Sequence, residues 1–121
     1  MKKLIFLSSP FTTDDQNLKN IRIQNLKDVM GAFLSSGFHV ISPILHNLPI
    51  LEYLDNKNDF SIWKEYCFNI LSRCDEVWVF KDEDWTESIG VREEIKFAHM
   101  SKIPVRYFRL NKENNIEFEE E

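Results

Sequence analysis

The stretch EVWVFKDEDWTESIGVREEIKFAHM, residues 76–100, decides the predicted fold, because it passes from a strand to a helix through one polar loop. Residues 76–80 are mostly apolar and rich in valine and aromatics, which predicts a strand. Val91, Ile95 and Ala98 recur at helical spacing and predict a helix over 91–100. Such strand–helix units build a parallel sheet with right-handed crossovers.

The same alternation extends in both directions. Further strands are predicted at 3–7, 38–41 and 104–108, and further helices at 13–36 and 60–73. Thr13 and Gln16 stand at capping-box spacing, and Gly37 is typical of a helix end. Residues 46–58 are predicted to be a loop with one helical turn.

We therefore expect an α/β fold with one three-layer domain over residues 1–110. Its parallel sheet of four to five strands would be flanked by helices in a flavodoxin-like or Rossmann-like arrangement. Residues 111–121 are predicted to form an acidic, mobile tail, because acidic side chains dominate residues 117–121.

Composition excludes several function classes. The 121 residues carry 15 basic and 20 acidic side chains, and the net charge of −5 argues against a partner that is a nucleic-acid polymer. No apolar run reaches membrane-spanning length, and the four apolar residues after Lys3 are too few for a secretory signal. We therefore expect a cytoplasmic protein without a membrane partner.

The two cysteines, Cys67 and Cys74, lie seven residues apart on one predicted helix. Two helical turns separate them by roughly 10 Å, too far for a disulfide. No additional pair of Cys or His residues completes a zinc site, so we expect no bound metal.

Ligands of open parallel sheets bind beyond the carboxyl ends of the strands. This rule selects the segments Ser8–Phe11, Ser42–His46 and Lys81–Ser88, together with the helix after the third predicted strand. In that helix Ser88 is a candidate N-cap, and Gly90 in the first turn lets a ligand approach the backbone. The free N–H groups there form an anion site.

Glu94 lies on the flank of the buried stripe of this helix, whereas Glu93 points towards solvent. A carboxylate in that position can meet a ligand held at the helix start. The alternative is a boundary glutamate that pairs with Arg92 or Lys96.

The string Ser88-x-Gly90-Val91-x-x-Glu94-Ile95-x-x-Ala98 resembles the signature of nucleoside 2-deoxyribosyltransferases and nucleoside 5′-monophosphate N-glycosidases, with their small relatives. Three further matches occur in the family's order. They are Leu7-Ser8-Ser9-Pro10-Phe11, Ser42-Pro43-x-x-His46, and Cys74-Asp75-Glu76-Val77-Trp78-Val79 leading to Trp85.

The resemblance implies that Glu94 attacks the anomeric carbon of a nucleotide or nucleoside and forms a glycosyl-enzyme ester. Ser88 would bind the 5′-phosphate or 5′-hydroxyl, and Ser8 and Ser9 would contact the sugar or phosphate. The same resemblance places His46 at the rim of the pocket and makes Phe11 and Trp85 candidates to stack on the base. It implies no metal or organic cofactor, and a homodimer or higher homo-oligomer.

Two positions depart from the family's pattern. Cys67 stands where relatives carry an aspartate that positions the glutamate and the substrate, and Phe6 stands where a tyrosine is frequent. A thiol does not replace a carboxylate. Asp82 and Asp84, after the third predicted strand, are candidates to take over the role. Two hypotheses result: an N-glycosidase or deoxyribosyltransferase, or a nucleotide-binding module that senses or sequesters its ligand without turnover.

Overall fold

The computed structural model describes residues 2–53 and 60–120 of the chain. Five strands form one sheet, and four α-helices flank it. The strands are β1 (Leu4–Ser8), β2 (His39–Ile41), β3 (Glu76–Phe80), β4 (Val105–Leu110) and β5 (Ile116–Phe118). The helices are α1 (Gln16–Ser35), α2 (Pro43–Asn47), α3 (Phe60–Leu71) and α4 (Ile89–Met100), with 3-10 turns at Leu48–Tyr53 and Trp85–Glu87.

The strand order is β2-β1-β3-β4-β5. The first four strands are parallel and β5 is antiparallel to β4. The predicted flavodoxin-like α/β fold is therefore confirmed.

Alternation along the strands divides the core into two layers. Leu7 and Phe80 point to the α1 side of the sheet, where they pack with Leu26, Val29 and Phe33. The residues of the opposite face pack with α3 and α4, and this second cluster contains Phe6, Leu71, Cys74, Val77, Val79, Val91 and Ala98. Both faces of the central strands are thus covered, as in other parallel sheets.

The start of α1 differs from the predicted capping box. Asp15 is the N-cap, and its carboxylate accepts hydrogen bonds from the N–H groups of Asn17 and Leu18 at 2.9 and 3.2 Å. The Thr13 hydroxyl instead accepts from the N–H of Asp15, so it forms a turn ahead of the helix. Thr13 and Asp15 are both of a cap-forming residue type, and the sequence pattern alone selects the wrong one.

The predicted mobile tail is also corrected, because residues 116–118 form β5. The Phe118 ring packs against the ring of Trp78 at 5.0 Å and lies 4.2 Å from the guanidinium carbon of Arg106. β5 pairs with the preceding strand, β4, and a strand of only three residues gives a weak local signal. The predicted loop at 46–58 starts inside α2 and continues as the 3-10 turn to Tyr53, and its residues 54–58 lie outside the described residues.

Both cysteines are free thiols in the structure. Within residues 2–53 and 60–120, no helix is both long enough and apolar enough to cross a membrane.

Candidate active site

The carboxyl ends of β1 and β3 lie side by side at the centre of the sheet, where Ser8 is in register with Val79. Ser8 shares the α3–α4 face of the sheet with Phe6, and its side chain is fully buried. Its hydroxyl donates a 2.6 Å hydrogen bond to Oε1 of Glu94. The contact joins residues that stand 86 positions apart in the chain.

Helix α4 presents Glu94 to this position. Val91 and Ala98 are fully buried against the sheet and fix the rotation of the helix. Glu94 lies beside that stripe and is half-buried. Its neighbour Glu93 points towards α3, where Nζ of Lys64 lies 3.9 Å from the Glu93 carboxylate. No ion pair between described residues includes Glu94, so the alternative in which it pairs with Arg92 or Lys96 is not realised.

Burial raises the pKa of the Glu94 carboxyl to about 7, and the hydrogen bond from Ser8 offsets part of that rise. Desolvation disfavours the charged carboxylate, while a donated hydrogen bond favours it. Near neutral pH the group therefore exists in both protonation states. This is the range in which a carboxyl can exchange protons or attack as an anion.

Cys67 on α3 lies within the electrostatic reach of Glu94. Burial, and secondly the negative charge of Glu94, raise the pKa of the Cys67 thiol to about 12. Cys67 is therefore a protonated thiol at neutral pH and adds no charge beside the carboxylate. The position at which the resemblance implies an aspartate therefore holds a neutral group in this chain.

The start of α4 has the predicted cap. The Ser88 hydroxyl accepts a 3.2 Å hydrogen bond from the N–H of Val91. A methyl group added to Gly90 would meet only the Ser88 hydroxyl, at 3.8 Å. The packing of the described residues thus leaves room for a side chain at Gly90.

Asp82 and Asp84 occupy the loop after β3 without a hydrogen bond to Glu94. Both carboxylate oxygens of Asp82 accept from the amide of Asn25 at 3.3 Å. Asp84 is exposed and adopts a left-handed backbone conformation with φ of 59°. Aspartate tolerates that conformation better than most residues, so the turn itself accounts for the residue type.

The aromatic and histidine candidates lie around the same ends of the strands. Trp85 is half-buried and its ring centre is 6.0 Å from that of Tyr107, with the ammonium group of Lys81 5.2 Å from each ring centre. Phe11 lies below the ammonium of Lys19 at 5.2 Å. His46 is exposed at the end of α2, and its Nδ1 is 3.0 Å from the side-chain oxygen of Asn47. Their roles as ligand contacts stay predictions.

Two buried polar atoms in this region have no hydrogen-bond partner among the described residues. They are the Ser9 hydroxyl and Nε of Arg22, in side chains 7% and 6% exposed. Sequence reasoning missed Arg22, although a signal existed. It lies four residues before Leu26 and therefore in the buried stripe of α1, where a charge is unexpected.

Among residues 2–53 and 60–120, no three His, Cys, Asp or Glu side chains come together in a group that could hold a metal ion.

Comparison with solved structures gives a fold match. The chain is similar to a 2-deoxyribosyltransferase from Bacillus psychrosaccharolyticus, with a TM-score of 0.62 and 19% sequence identity. The match covers 90% of this chain and 74% of that enzyme. The sheet and its flanking helices therefore have the fold of a 2-deoxyribosyltransferase.

Comparison of sequences identifies the family of the chain. No curated protein matches the chain. The model of one family, described as a domain of unknown function, DUF1937, matches residues 3–110. That span runs from β1 to the end of β4 and includes both Ser8 and Glu94. The chain belongs to the DUF1937 family, and its fold is distantly similar to that of a 2-deoxyribosyltransferase.

Proposed function

We propose that this protein cleaves the N-glycosidic bond of a nucleotide or nucleoside, with Glu94 as the nucleophile. One observation carries the proposal: the half-buried Glu94 carboxyl group, hydrogen-bonded by Ser8, lies at the carboxyl ends of the two central strands. Ligands bind in this place in open parallel sheets. The fold similarity to a 2-deoxyribosyltransferase supports the choice of substrate class.

In the first step the ionised Glu94 attacks the anomeric carbon of the sugar, and the bond from that carbon to the base breaks. The electron pair of the broken bond leaves with the base, which takes a proton from water or from a positioned acid. Asp82 and Asp84 are candidates to position Glu94 and the substrate for this step. The product is an ester between Glu94 and the sugar.

In the second step a nucleophile attacks the same carbon and releases the Glu94 carboxylate. Attack by water gives the free sugar and a proton, which balances the proton taken by the base. Attack by a second base gives a new nucleoside. The proposal therefore includes a hydrolase and a deoxyribosyltransferase. The two differ only in whether water or a base accepts the sugar in the second step.

The helix start supplies the other half of the proposed site. The Ser88 hydroxyl and the free N–H groups of the first turn of α4 would hold the 5′ substituent of the sugar. The space above Gly90 would admit it. Ser9, whose buried hydroxyl is unpartnered among the described residues, would contact the sugar or the phosphate. Phe11, Trp85 and His46 would border the base.

A second candidate is a binding module that holds a nucleotide without turnover. The surroundings of Glu94 favour it, because the neighbouring Cys67 is neutral and the pKa of Glu94, at about 7, leaves part of the group protonated. Protonated Glu94 accepts and donates hydrogen bonds but does not attack. A homo-oligomer is compatible with either function.

The test is chromatography of free base released from a panel of ribo- and deoxyribonucleosides and their 5′-monophosphates. Glu94→Gln and Glu93→Gln are measured alongside, because both remove one negative charge from the same turn of α4. Release by the parent and by Glu93→Gln, but not by Glu94→Gln, supports cleavage. No release, with a higher melting temperature in the presence of a nucleotide, supports the binding module. Equal release by Glu94→Gln and the parent contradicts the role of Glu94.

A further inference from the structure

Arg22 is a buried arginine whose hydrogen bonds go to backbone carbonyl groups of two loops. Its Nη2 donates to the carbonyl of Glu83 at 2.9 Å, in the loop after β3. Its Nη1 donates to the carbonyl of Thr12 at 3.3 Å and, more weakly, to that of Phe11 at 3.5 Å, in the segment after β1. One guanidinium group therefore connects the chain beyond both central strands.

The buried position of Arg22 lowers the stability of the fold. Burial of a guanidinium removes it from water, and no ion pair between described residues includes Arg22. An apolar residue in this position of the buried stripe of α1 would pack against the sheet without that cost. The planar fork of arginine, however, spans two separate acceptors in fixed geometry, which an apolar side chain does not do.

Asn25, one turn further along α1, contacts the same loop. Its amide lies 3.3 Å from both carboxylate oxygens of Asp82, and Oδ1 of Asp82 accepts from the N–H of Glu83 at 2.8 Å. Helix α1 thus fixes the loop after β3 at two adjacent residues. That loop leads through Trp85 to Ser88, the N-cap of α4.

We propose that Arg22 is a positioning residue that holds the segment after β1 and the loop after β3 in the geometry that the Glu94 site requires. The inference rests on the proposed function for the identity of the ligand. Arg22 acts from the α1 side of the sheet, while Ser8 and Glu94 meet on the other side. It therefore acts through the backbone of the two loops, which carry Ser9, Phe11 and Trp85 as candidate ligand contacts.

The first measurement is amide hydrogen exchange of the ligand-free protein, which does not depend on any activity. Arg22→Met keeps the apolar stem and removes every donor, Arg22→Lys keeps the charge, and Lys27→Met is the control on the exposed side of α1. In Arg22→Met we expect exchange at least about tenfold faster in peptides covering 9–13 and 82–88, with the sheet unchanged. Unchanged exchange in those peptides, or an equal rise throughout the chain, overturns the assignment.

The second measurement is the kinetics of base release with the same variants. We expect KM to rise at least about tenfold in Arg22→Met while kcat changes less, because the loops carry the proposed ligand contacts and α4 carries Glu94. Arg22→Lys should resemble Arg22→Met, since one ammonium does not span both loops. Recovery by Arg22→Lys would show that charge alone suffices, and would overturn the bridging role.

The two proposals fail in different ways. If the parent releases no base and binds no nucleotide, the proposed function is wrong, and hydrogen exchange alone decides whether Arg22 holds the loops. If the parent releases base and the Arg22 variants match it in KM and kcat, the positioning role is wrong and the function of Glu94 stands.

Discussion

The Ser8 hydroxyl donates a 2.6 Å hydrogen bond to the Glu94 carboxylate, and this contact connects the end of β1 to the second turn of α4. The carboxyl group that accepts this hydrogen bond is the nucleophile of the proposed reaction. Because the bond favours the ionised form, it opposes the effect of burial on the pKa of Glu94.

Ser8→Ala should therefore raise the pKa of Glu94 further. We expect the rising limb of kcat/KM against pH to move to higher pH, with a loss of about tenfold at pH 7, the size of one hydrogen bond to a charged group. Carbon-13 NMR of labelled glutamate side chains follows the same titration without activity. Ser35→Ala, on the exposed end of α1, is the control. An unchanged titration in Ser8→Ala would contradict the role of the hydrogen bond.

Glu94→Gln should stabilise the protein at alkaline pH. The pKa of Glu94 is raised from 4.5 to about 7 in the folded state, so the folded state binds the proton more tightly than the unfolded state. Stability of the parent then falls as pH rises from about 4.5 to about 7, and stays lowered above that range. We expect the melting temperature of Glu94→Gln to exceed that of the parent at pH 8 and to approach it at pH 4. Glu93→Gln controls for loss of charge, and the same difference at both pH values would refute the assignment.

Gly90→Ala separates stability from binding. Alanine in place of a helical glycine stabilises by about 0.5–1 kcal/mol where there is room, and the Ser88 hydroxyl at 3.8 Å leaves room. Gly31→Ala is the matched control, because an added methyl at Gly31 meets nothing within 4 Å. Both variants should raise the denaturation midpoint. Only Gly90→Ala should reduce the rise in melting temperature that a bound nucleotide produces, and equal behaviour in both would place the ligand elsewhere.

The thiols of Cys67 and Cys74 should be unreactive in the folded protein. Burial raises their pKa values to about 12 and about 11, so little thiolate exists at pH 8. We expect iodoacetamide to label both cysteines rapidly in urea and slowly in buffer, as mass spectrometry of digested protein would measure. Rapid labelling of native Cys67 would show that it lies in a more exposed or more cationic place than the structure describes.

Phe118→Ala tests whether β5 is part of the core. Its ring contacts those of Trp78 and Phe108, with centres 5.0 and 5.5 Å apart, and is partly buried. Loss of the ring should lower the free energy of unfolding by about 2–3 kcal/mol, less than for a fully buried phenylalanine. Glu117→Ala, which removes one partner of an exposed ion pair with Arg109, should change it little. Equal stability of Phe118→Ala and the parent would support the mobile tail.

The central features were predictable because they depend on local patterns. The strand at 76–80 and the buried stripe of α4 are strong periodic signals, and the rule for ligand sites in parallel sheets selected both Ser8 and Glu94. The hydrogen bond between them depends on strand order and register, which local sequence patterns do not reveal. The strand β5 was missed because it forms only by pairing with β4.

The buried stripe of α1 shows the limit of hydrophobic periodicity. Ile21 is apolar and is 52% exposed, while the charged Arg22 beside it is 6% exposed. The helix is rotated so that Arg22 reaches the carbonyl groups of Thr12 and Glu83. An apolar pattern predicts which helix face is buried only where no buried polar side chain has to reach its hydrogen-bond partners.

The sheet ends on both sides in strands of three residues, β2 and β5. So short a strand offers few unpaired backbone groups to a neighbouring molecule, and this discourages the edge-to-edge addition that leads to fibrils.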